Sequence, residues 1–397
     1  MTQIKHYELG ELADVTKLAG FEFTKYIKYN NYGEIIALRA LNLRHGELDL
    51  TDIKRIDRSV SELLPRSKLY INDILLTYTG NGYGDCAIIE ENDKYHLAPN
   101  ICKIAPNVEK VVPYYLYSYI RTNEFYKIMS SHMTGSSQPT IPMKTIRMLP
   151  IPLPPIVVQE KIAEVAYCIN EKIRKNNAIN KNLEQQAQAI FANEFLSLET
   201  LPEGWKQASL IDIADYLNGL AMQKYRPTAD ESGIPVLKIK ELRQGCCDDN
   251  SELCSPNIKS NYIIHDGDVI FSWSGSLLVD LWCGGICGLN QHLFKVTSSK
   301  YDKWFYYAWT KHHLDRFVAV AADKATTMGH IKRDELAKAE VLIPNKKDYD
   351  RIGALLQPIY EMIISNRIEN KKLAATRDTL LPKLMNGEID ISEVDYE

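Results

Sequence analysis

The sequence predicts an α/β (α+β) protein of two globular domains joined by a pair of long antiparallel helices, arranged as a pseudo-two-fold internal duplication. Three observations predict this. The chain repeats itself once. Each copy opens with short apolar runs rich in β-branched and aromatic residues, broken by Gly, Asn and Pro. Each copy closes with a stretch whose apolar residues recur at spacings of three, four and seven, the mark of one helical face.

The repeat is read first, because it fixes the organisation. Leu12-Ala13-Asp14 matches Ile213-Ala214-Asp215, and the run Ala37–Gly46 matches Val236–Gly245. Asp73–Gly80, "DILLTYTG", matches Asp268–Gly275, "DVIFSWSG". Pro113–Tyr117 matches Lys303–Tyr307, Thr140-Ile141-Pro142 matches His330-Ile331-Lys332, and Pro154 matches Pro344. The spacing between copies falls from 201 residues at Asp14/Asp215 to 190 at Pro154/Pro344, and then stays fixed. Loops accept deletions, whereas a helix in one register does not. The predicted boundaries are 1–154 for the first globular domain, 155–197 for the first helix, 198–346 for the second domain and 347–397 for the second helix and tail.

Pro154-Pro155 stops the preceding strand, and the first helix is expected from about Val157 to Leu196. Its stripe is Ile162, Val165, Ile169, Ile173, Leu183 and Ile190. The constant spacing maps this onto Ile352, Leu355, Ile359, Ile363, Leu373 and Leu380. Pro202 and Gly204 end the first helix, and Gly387 ends the second. About 40 residues of helix make a rod of roughly 60 Å. A narrow apolar stripe needs a partner, and the simplest is the other helix, run antiparallel.

The middle of each stripe turns polar, with Asn176, Asn177 and Asn180 in one helix and Asn366, Arg367 and Asn370 in the other. Two-fold pairing is expected to set Asn176 near Asn366, where buried asparagine would fix register at some cost in stability. The alternative is a solvated stretch where the helices splay. Pro358 should kink the second helix, or mark where its regular part begins.

Composition narrows the class. The chain has 397 residues, 45% hydrophobic and 25% charged, ordinary for a soluble globular protein. It holds no apolar run of membrane-spanning length and no signal-peptide stretch at its start, so no membrane partner and a cytoplasmic location are expected. Eight cysteines in a chain this long fit a reducing compartment. The net charge of −4 argues against a stand-alone nucleic-acid binder, but not against local basic patches or a complex whose other subunits are basic.

This layout resembles the specificity subunit of type I restriction–modification systems. The motifs that carry the resemblance are "GDVIFSWSGS" (267–276) and its twin "NDILLTYTGN" (72–81), and "GSSQPTIPMKTIRMLPIPLPPIVVQEKIAEV" (135–165). "LPEGW" (201–205) and "TLLPKLMNGEI" (379–389) complete the set. Each is weak alone; in this order they are specific. The resemblance implies two target-recognition domains, each reading one half of an asymmetric bipartite sequence in double-stranded DNA. It implies a helical pair that sets the spacer and docks two adenine-methyltransferase (modification) subunits, to which restriction/translocase subunits add. It also implies a non-catalytic chain with no cofactor of its own, S-adenosylmethionine being expected on the methyltransferase partner. Asn72 departs from the pattern where the twin has Gly267, and Gln138-Pro139 becomes Met328-Gly329.

Reading DNA needs Arg, Lys, Asn or Gln at base edges and further Lys, Arg, Ser and Thr on phosphate. In the first domain Lys54, Arg55, Arg58, Arg66 and Lys68 cluster in one polar stretch. Asn81 and Tyr83 occupy the glycine-rich turn, and Ser136, Ser137 and Gln138 a Gly-Ser loop. Matching places in the second domain hold Ser274, Ser276, Lys324, Thr326, Thr327, His330, Lys332 and Arg333, with Lys238, Lys240 and Arg243 near the matching strand. Any one of these residues is also readable as a solvated surface group.

The turn "YTGNGYGD" (78–85) resembles the S-adenosylmethionine loop of methyltransferases, but its twin keeps only the aromatic and the first glycine. The shared part reads as scaffold, and the unshared Asn81–Asp85 as a recognition loop. A stand-alone methyltransferase lacks its Asn-Pro-Pro-aromatic motif here, since "LPPI" (153–156) is not one. A zinc site would have to draw on Cys283 and Cys287 with Cys246, Cys247 or Cys254; buried or free thiols are the expectation. His312-His313 with Asp315 reads as helix surface rather than a catalytic pair. The alternative to a DNA reader is a non-catalytic two-domain coiled-coil scaffold, or a silent specificity cassette.

Overall fold

The computed structural model describes residues 4–44, 46–135, 138–323, 331 and 333–392. The chain divides into two compact units, 1–172 with 373–397, and 173–372. Both division points fall inside the long helices, Ile156–Phe191 and Lys346–Met385. No helix among the described residues is long and apolar enough to cross a membrane.

In the first unit, four antiparallel strands lie in the order Ala13–Lys17, Ile101–Pro106, Ile74–Thr77, Cys86–Ile88. The strand Ile74–Thr77 is buried along its whole length, which is why it reads as an unbroken apolar run rather than an alternating one. A second sheet sets Ile35–Leu38 antiparallel to Lys54–Ile56 and parallel to Tyr95–Leu97. A ribbon of Lys5–Glu8 with Pro150–Leu153 leads into the first long helix. The core joins Leu12, Val15, Leu76, Tyr115, Tyr119 and Phe125 to Ile162 and Ala166 of that helix and to Leu381, Leu384 and Met385 of the second.

The second unit repeats the design. Its four-stranded sheet runs Asp215–Asn218, Leu293–Thr297, Val269–Ser272, Leu278–Leu281. The parallel pair recurs as Ile234–Leu237 with Cys287–Leu289, and the ribbon as Lys206–Ser209 with Glu340–Ile343. Its core is more aromatic: Phe271, Phe294, Trp304, Phe305 and Phe317 pack with Phe191, Phe195, Ile352, Leu356 and Ile363.

The resemblance motifs have structural reasons. Trp205 of "LPEGW" donates Nε1–H to Asp348 Oδ2 at 3.0 Å, in the first turn of the second helix. Asn345 caps that turn, accepting from the Asp348 amide and donating to the Asp348 carboxylate. Leu381, Leu384 and Met385 of "TLLPKLMNGEI" are core, and Gly387, at φ 72°, closes the helix by donating its N–H to the Leu384 carbonyl. Asn72 adopts φ 72° where Gly267 has φ 85°, so the departure keeps the turn. Asparagine tolerates the left-handed region better than other side chains.

Four expectations about the helices are corrected. The regular helix does not begin at Pro358: it begins at Lys346, where the Asn345 cap starts it, and continues past Pro358. Leu355 is 47% exposed, and its neighbour Leu356 is buried instead, paired by the repeat with buried Ala166. Asn176 does not meet Asn366. It donates to Asn370 Oδ1 at 2.8 Å and Glu369 Oε2 at 2.7 Å, while Asn366 donates to Asn180 Oδ1 at 2.9 Å. Lastly, the helices do not splay here, since Asn176, Asn180 and Asn366 are all buried. Val165, Ile169, Ile173, Leu183, Ile190, Ile359, Leu373 and Leu380 are partly buried, and Ile162, Ile352 and Ile363 fully so.

Candidate nucleic-acid interface

In each unit the third strand across the four-stranded sheet delivers an aromatic residue, then a glycine turn. In the first unit the Tyr78 carbonyl accepts from the Ile141 amide at 3.1 Å, and the Gly80 amide donates to the Pro139 carbonyl at 2.8 Å. Thr79 and Thr140 share a hydroxyl–hydroxyl bond of 2.5 Å. Thr134 and Thr140 exchange backbone bonds, closing the Gly-Ser loop at its base. The glycine-rich turn therefore lies beside the segment Gln138–Thr140, and Asn81 and Gln138 are both exposed. In the second unit the Trp273 carbonyl accepts from the Ile331 amide at 3.0 Å, the same bond at the same place. Gly80 and Gly275 both take positive φ, 86° and 65°. The scaffold is shared and the exposed side chains differ.

Tyr83 does not present a free ring. It stacks on Tyr126 at 5.4 Å with planes 6° apart, and its hydroxyl accepts from Ser130. Gly84 leaves the room for this, because a Cβ there would meet the Tyr126 ring. Lys54, Arg58 and Arg66 are exposed, whereas Arg55 Nη1 donates to the Gly33 carbonyl at 3.2 Å. Lys68 is half-buried and its carbonyl accepts from Lys103.

In the second unit several candidates are engaged internally. Ser274 is buried and its Oγ bonds His292 Nδ1 at 3.0 Å. Lys238 pairs with Glu252, whose carboxyl its hydrogen bond holds below the usual range, and Lys240 does the same to Asp248 at 3.0 Å. Arg333 donates to the Tyr216 carbonyl at 3.0 Å, which makes it a clamp on the strand Asp215–Asn218. Arg243 and Ser276 remain exposed. Ser136, Ser137, Lys324, Thr326, Thr327, His330 and Lys332 lie outside the described residues.

Sequence reading missed the residues that frame the turn. Lys17 ends the first strand with its ammonium 5.2 Å from the Tyr78 ring centre. Asn218 stands at the matching place and accepts from Trp273 Nε1 at 3.0 Å. The strand paired with Ile74–Thr77 starts after Asn100, and the strand paired with Val269–Ser272 starts after Gln291-His292. The repeat offset alone would have found Lys17 and Asn218.

Among the described residues no group of three or more His, Cys, Asp or Glu is placed to hold a metal ion. Cys247 and Cys287 approach to 3.4 Å as thiols, and burial pushes the thiols of Cys254 and Cys283 up to about 11. His313 is not on the surface: it is buried, bonds the Glu340 carbonyl at 2.8 Å, and burial pulls its pKa down to about 4. His312 packs against Phe191 and Trp309, which makes the pair structural.

Two copies of one scaffold, alike in their turns and unlike in their exposed side chains, define a tandem of modules with two different surfaces. The chain belongs to the type I restriction modification DNA specificity domain family, which matches residues 1–188 and again 202–375. It is 20% identical to the type I restriction enzyme HindI specificity subunit of Haemophilus influenzae, over 98% of this chain and 100% of that one. It is 26% identical over 309 residues to the MjaIX specificity subunit of Methanocaldococcus jannaschii, covering 72% and 71% of the two chains. The crystal structure of a type I S subunit from M. genitalium shares the fold at 13% identity, with a TM-score of 0.57 over 96% of each chain.

Proposed function

We propose that this chain is the DNA-reading subunit of a type I restriction–modification complex. Each globular domain reads one half of an asymmetric bipartite site, and the long helices set the spacer and dock two adenine-methyltransferase subunits. Restriction subunits join through these, S-adenosylmethionine binds the methyltransferases, and the chain itself performs no catalysis. The setting is the cytoplasm. One observation carries the reading: the Tyr78 and Trp273 turns are held by the same backbone bond, yet expose Asn81 and Gln138 in one unit and Ser276 in the other. Reading two different half-sites requires this combination of common scaffold and unlike tips.

The test is to express the chain with its modification subunits and map methylated adenines genome-wide. One asymmetric bipartite motif is the expected result. Asn81→Ala with Gln138→Ala should relax the bases of one half only, since each good base contact is worth about 1–3 kcal/mol of discrimination. An unchanged motif would remove these tips from the reading surface. No motif at all, with no duplex binding by the assembled complex, would leave a scaffold.

A further inference from the structure

Residues 20–33, "GFEFTKYIKYNNYG", hold five aromatic residues and two lysines, and neither the glycine-rich turn nor the Gly-Ser loop involves them. Phe23, Tyr26 and Ile27 turn inward, against a cluster that includes Leu18, Leu75 and Ile101. Tyr32 does the opposite: it is 95% exposed. A lone exposed ring needs no explanation in general. This one is held out by a locked turn. Asn30 Oδ1 accepts from the amides of Tyr32 and Gly33, and Asn30 Nδ2 donates to Asp57 Oδ1 at 2.9 Å. The Asn30 amide donates to the Arg55 carbonyl, and Arg55 Nη1 returns to the Gly33 carbonyl. Gly33 packs so tightly on the Ile56 backbone that no Cβ fits.

Cations stand on the turn's flanks and on the elements bonded to it. Lys28 is exposed just before it, and the strand and helix to which it is bonded bring Lys54, Arg55 and Arg58. Two exposed acids are tied to the same frame: Asp57 accepts from Asn30, and Glu34 from the Arg58 amide. At the corresponding place in the second unit stands Glu231, bonded to the Thr228 amide and to Asn257. The feature is therefore not a requirement of the scaffold.

We infer that the Asn30–Gly33 turn is a DNA-contacting tip, on which Tyr32 wedges against a partly unstacked base step while Lys28, Lys54 and Arg58 take the flanking phosphates. The inference rests on the proposed DNA-reading function. A ring held out beside cations suits a polyanion whose base steps can be partly unstacked, and a tyrosine already fixed in place costs little ordering entropy on binding.

The experiment compares Tyr32→Ala, Tyr32→Phe, Tyr32→Trp and Lys28→Ala in the complex with the modification subunits. The probe is a labelled duplex carrying the mapped methylation motif. Tyr32→Ala should weaken binding about tenfold, with assembly intact and the salt slope unchanged, while Phe and Trp retain affinity. Lys28→Ala should lower the slope of log K against log salt by about one. Wild-type affinity in Tyr32→Ala overturns the inference and leaves the DNA-reading function standing. Failure of Tyr32→Ala to assemble with the modification subunits also overturns it, and makes the tip a protein dock. If the wild-type complex binds no duplex, the function and the inference fall together.

Discussion

Replacing Asn366 by leucine should destabilise the second unit, and replacing Asn180 as well should restore or raise its stability. Asn366 and Asn180 are 9% and 6% exposed and share one bond, Asn366 Nδ2–H to Asn180 Oδ1 at 2.9 Å. Removing Asn366 alone strands a buried amide oxygen, at a cost of about 1–3 kcal/mol. The new leucine offsets only part of this, because it abuts that oxygen. With both changed, no polar group is stranded, and two leucines bury apolar surface worth about 1.5–3 kcal/mol each at full burial. For a unit of 200 residues, about 1 kcal/mol moves the melting temperature by about 2–4 °C. Calorimetric melting of wild type, both singles and the double closes the cycle. The coupling should favour the double by more than about 1 kcal/mol. Register is read separately by amide exchange over 173–183 and 363–372, which should quicken in the double despite its higher melting temperature. Single variants whose effects add within about 0.5 kcal/mol, or a stabilised Asn366→Leu, would refute the argument. Changing Asn176 with Asn366, the pair suggested by sequence equivalence, should instead destabilise, since it strands partners in two separate bonds.

Arg367 is mostly buried and forks to Asp280 Oδ1 at 2.8 Å and Glu184 Oε1 at 2.9 Å, with a further bond to the Leu281 carbonyl. Arg367→Met should cost about 2 kcal/mol on thermal melting, and Arg367→Lys should rescue poorly, since one ammonium does not span both carboxylates. His313 titrates near 4 in the folded unit against an ordinary value of about 6.5. The unfolded chain takes up the proton first, so this contribution is full above about pH 6.5 and is lost as pH falls toward 4. After allowance for partial exposure the loss is about 2 kcal/mol at most, and His313→Gln should flatten that limb of the stability–pH curve relative to wild type. Asn72→Gly should be tolerated and Asn72→Ala should cost about 1 kcal/mol, seen as a lower melting temperature of the first unit.

The duplication is legible because a helix without insertions keeps its spacing, so a constant offset of 190 marks both rods from the residue order alone. What the offset leaves open is where the midpoint of the helix pairing falls. Equivalent asparagines meet only if that midpoint passes through them. It falls near Ala178 and Ile368, so each asparagine meets the partner one turn along. Leu355 and Leu356 both satisfy helical spacing, and only the neighbouring core chooses between them. Lys238 and Lys240 read as free cations because their carboxylate partners lie 14 and 8 residues further on. The short strand Leu253–Cys254, paired with Ile234–Leu237, is what returns Glu252 to Lys238, and no local pattern announces a two-residue strand.

Arg333 shows why scaffold and reading surface are hard to separate by residue type. By sequence it is attractive as a DNA contact, because it is an arginine next to an expected loop. In the first unit the carbonyl of Val15 accepts from Arg147 Nη2 at 2.6 Å. The matching carbonyl in the second unit, that of Tyr216, accepts from Arg333. By the repeat, Arg147 corresponds to Ala337 and Arg333 to Met143. The two copies therefore keep the same edge-strand bond but supply its donor from different turns of the short helices Met143–Arg147 and Arg333–Ala337. A role kept while its residue moves is the mark of a structural demand, here a carbonyl that must be satisfied. The exposed tips behave in the opposite way. At Asn81, Gln138 and Tyr32 the position is held by the frame while no bond among the described residues holds the side chain, as the proposed divergence toward two half-sites would require. Arg333→Ala should accordingly lower the melting temperature of the second unit by a few degrees, for about 1 kcal/mol. It should leave duplex affinity unchanged at temperatures where the unit is folded. A selective loss of one half-site in the methylation map, without a change in melting, would return Arg333 to the reading surface.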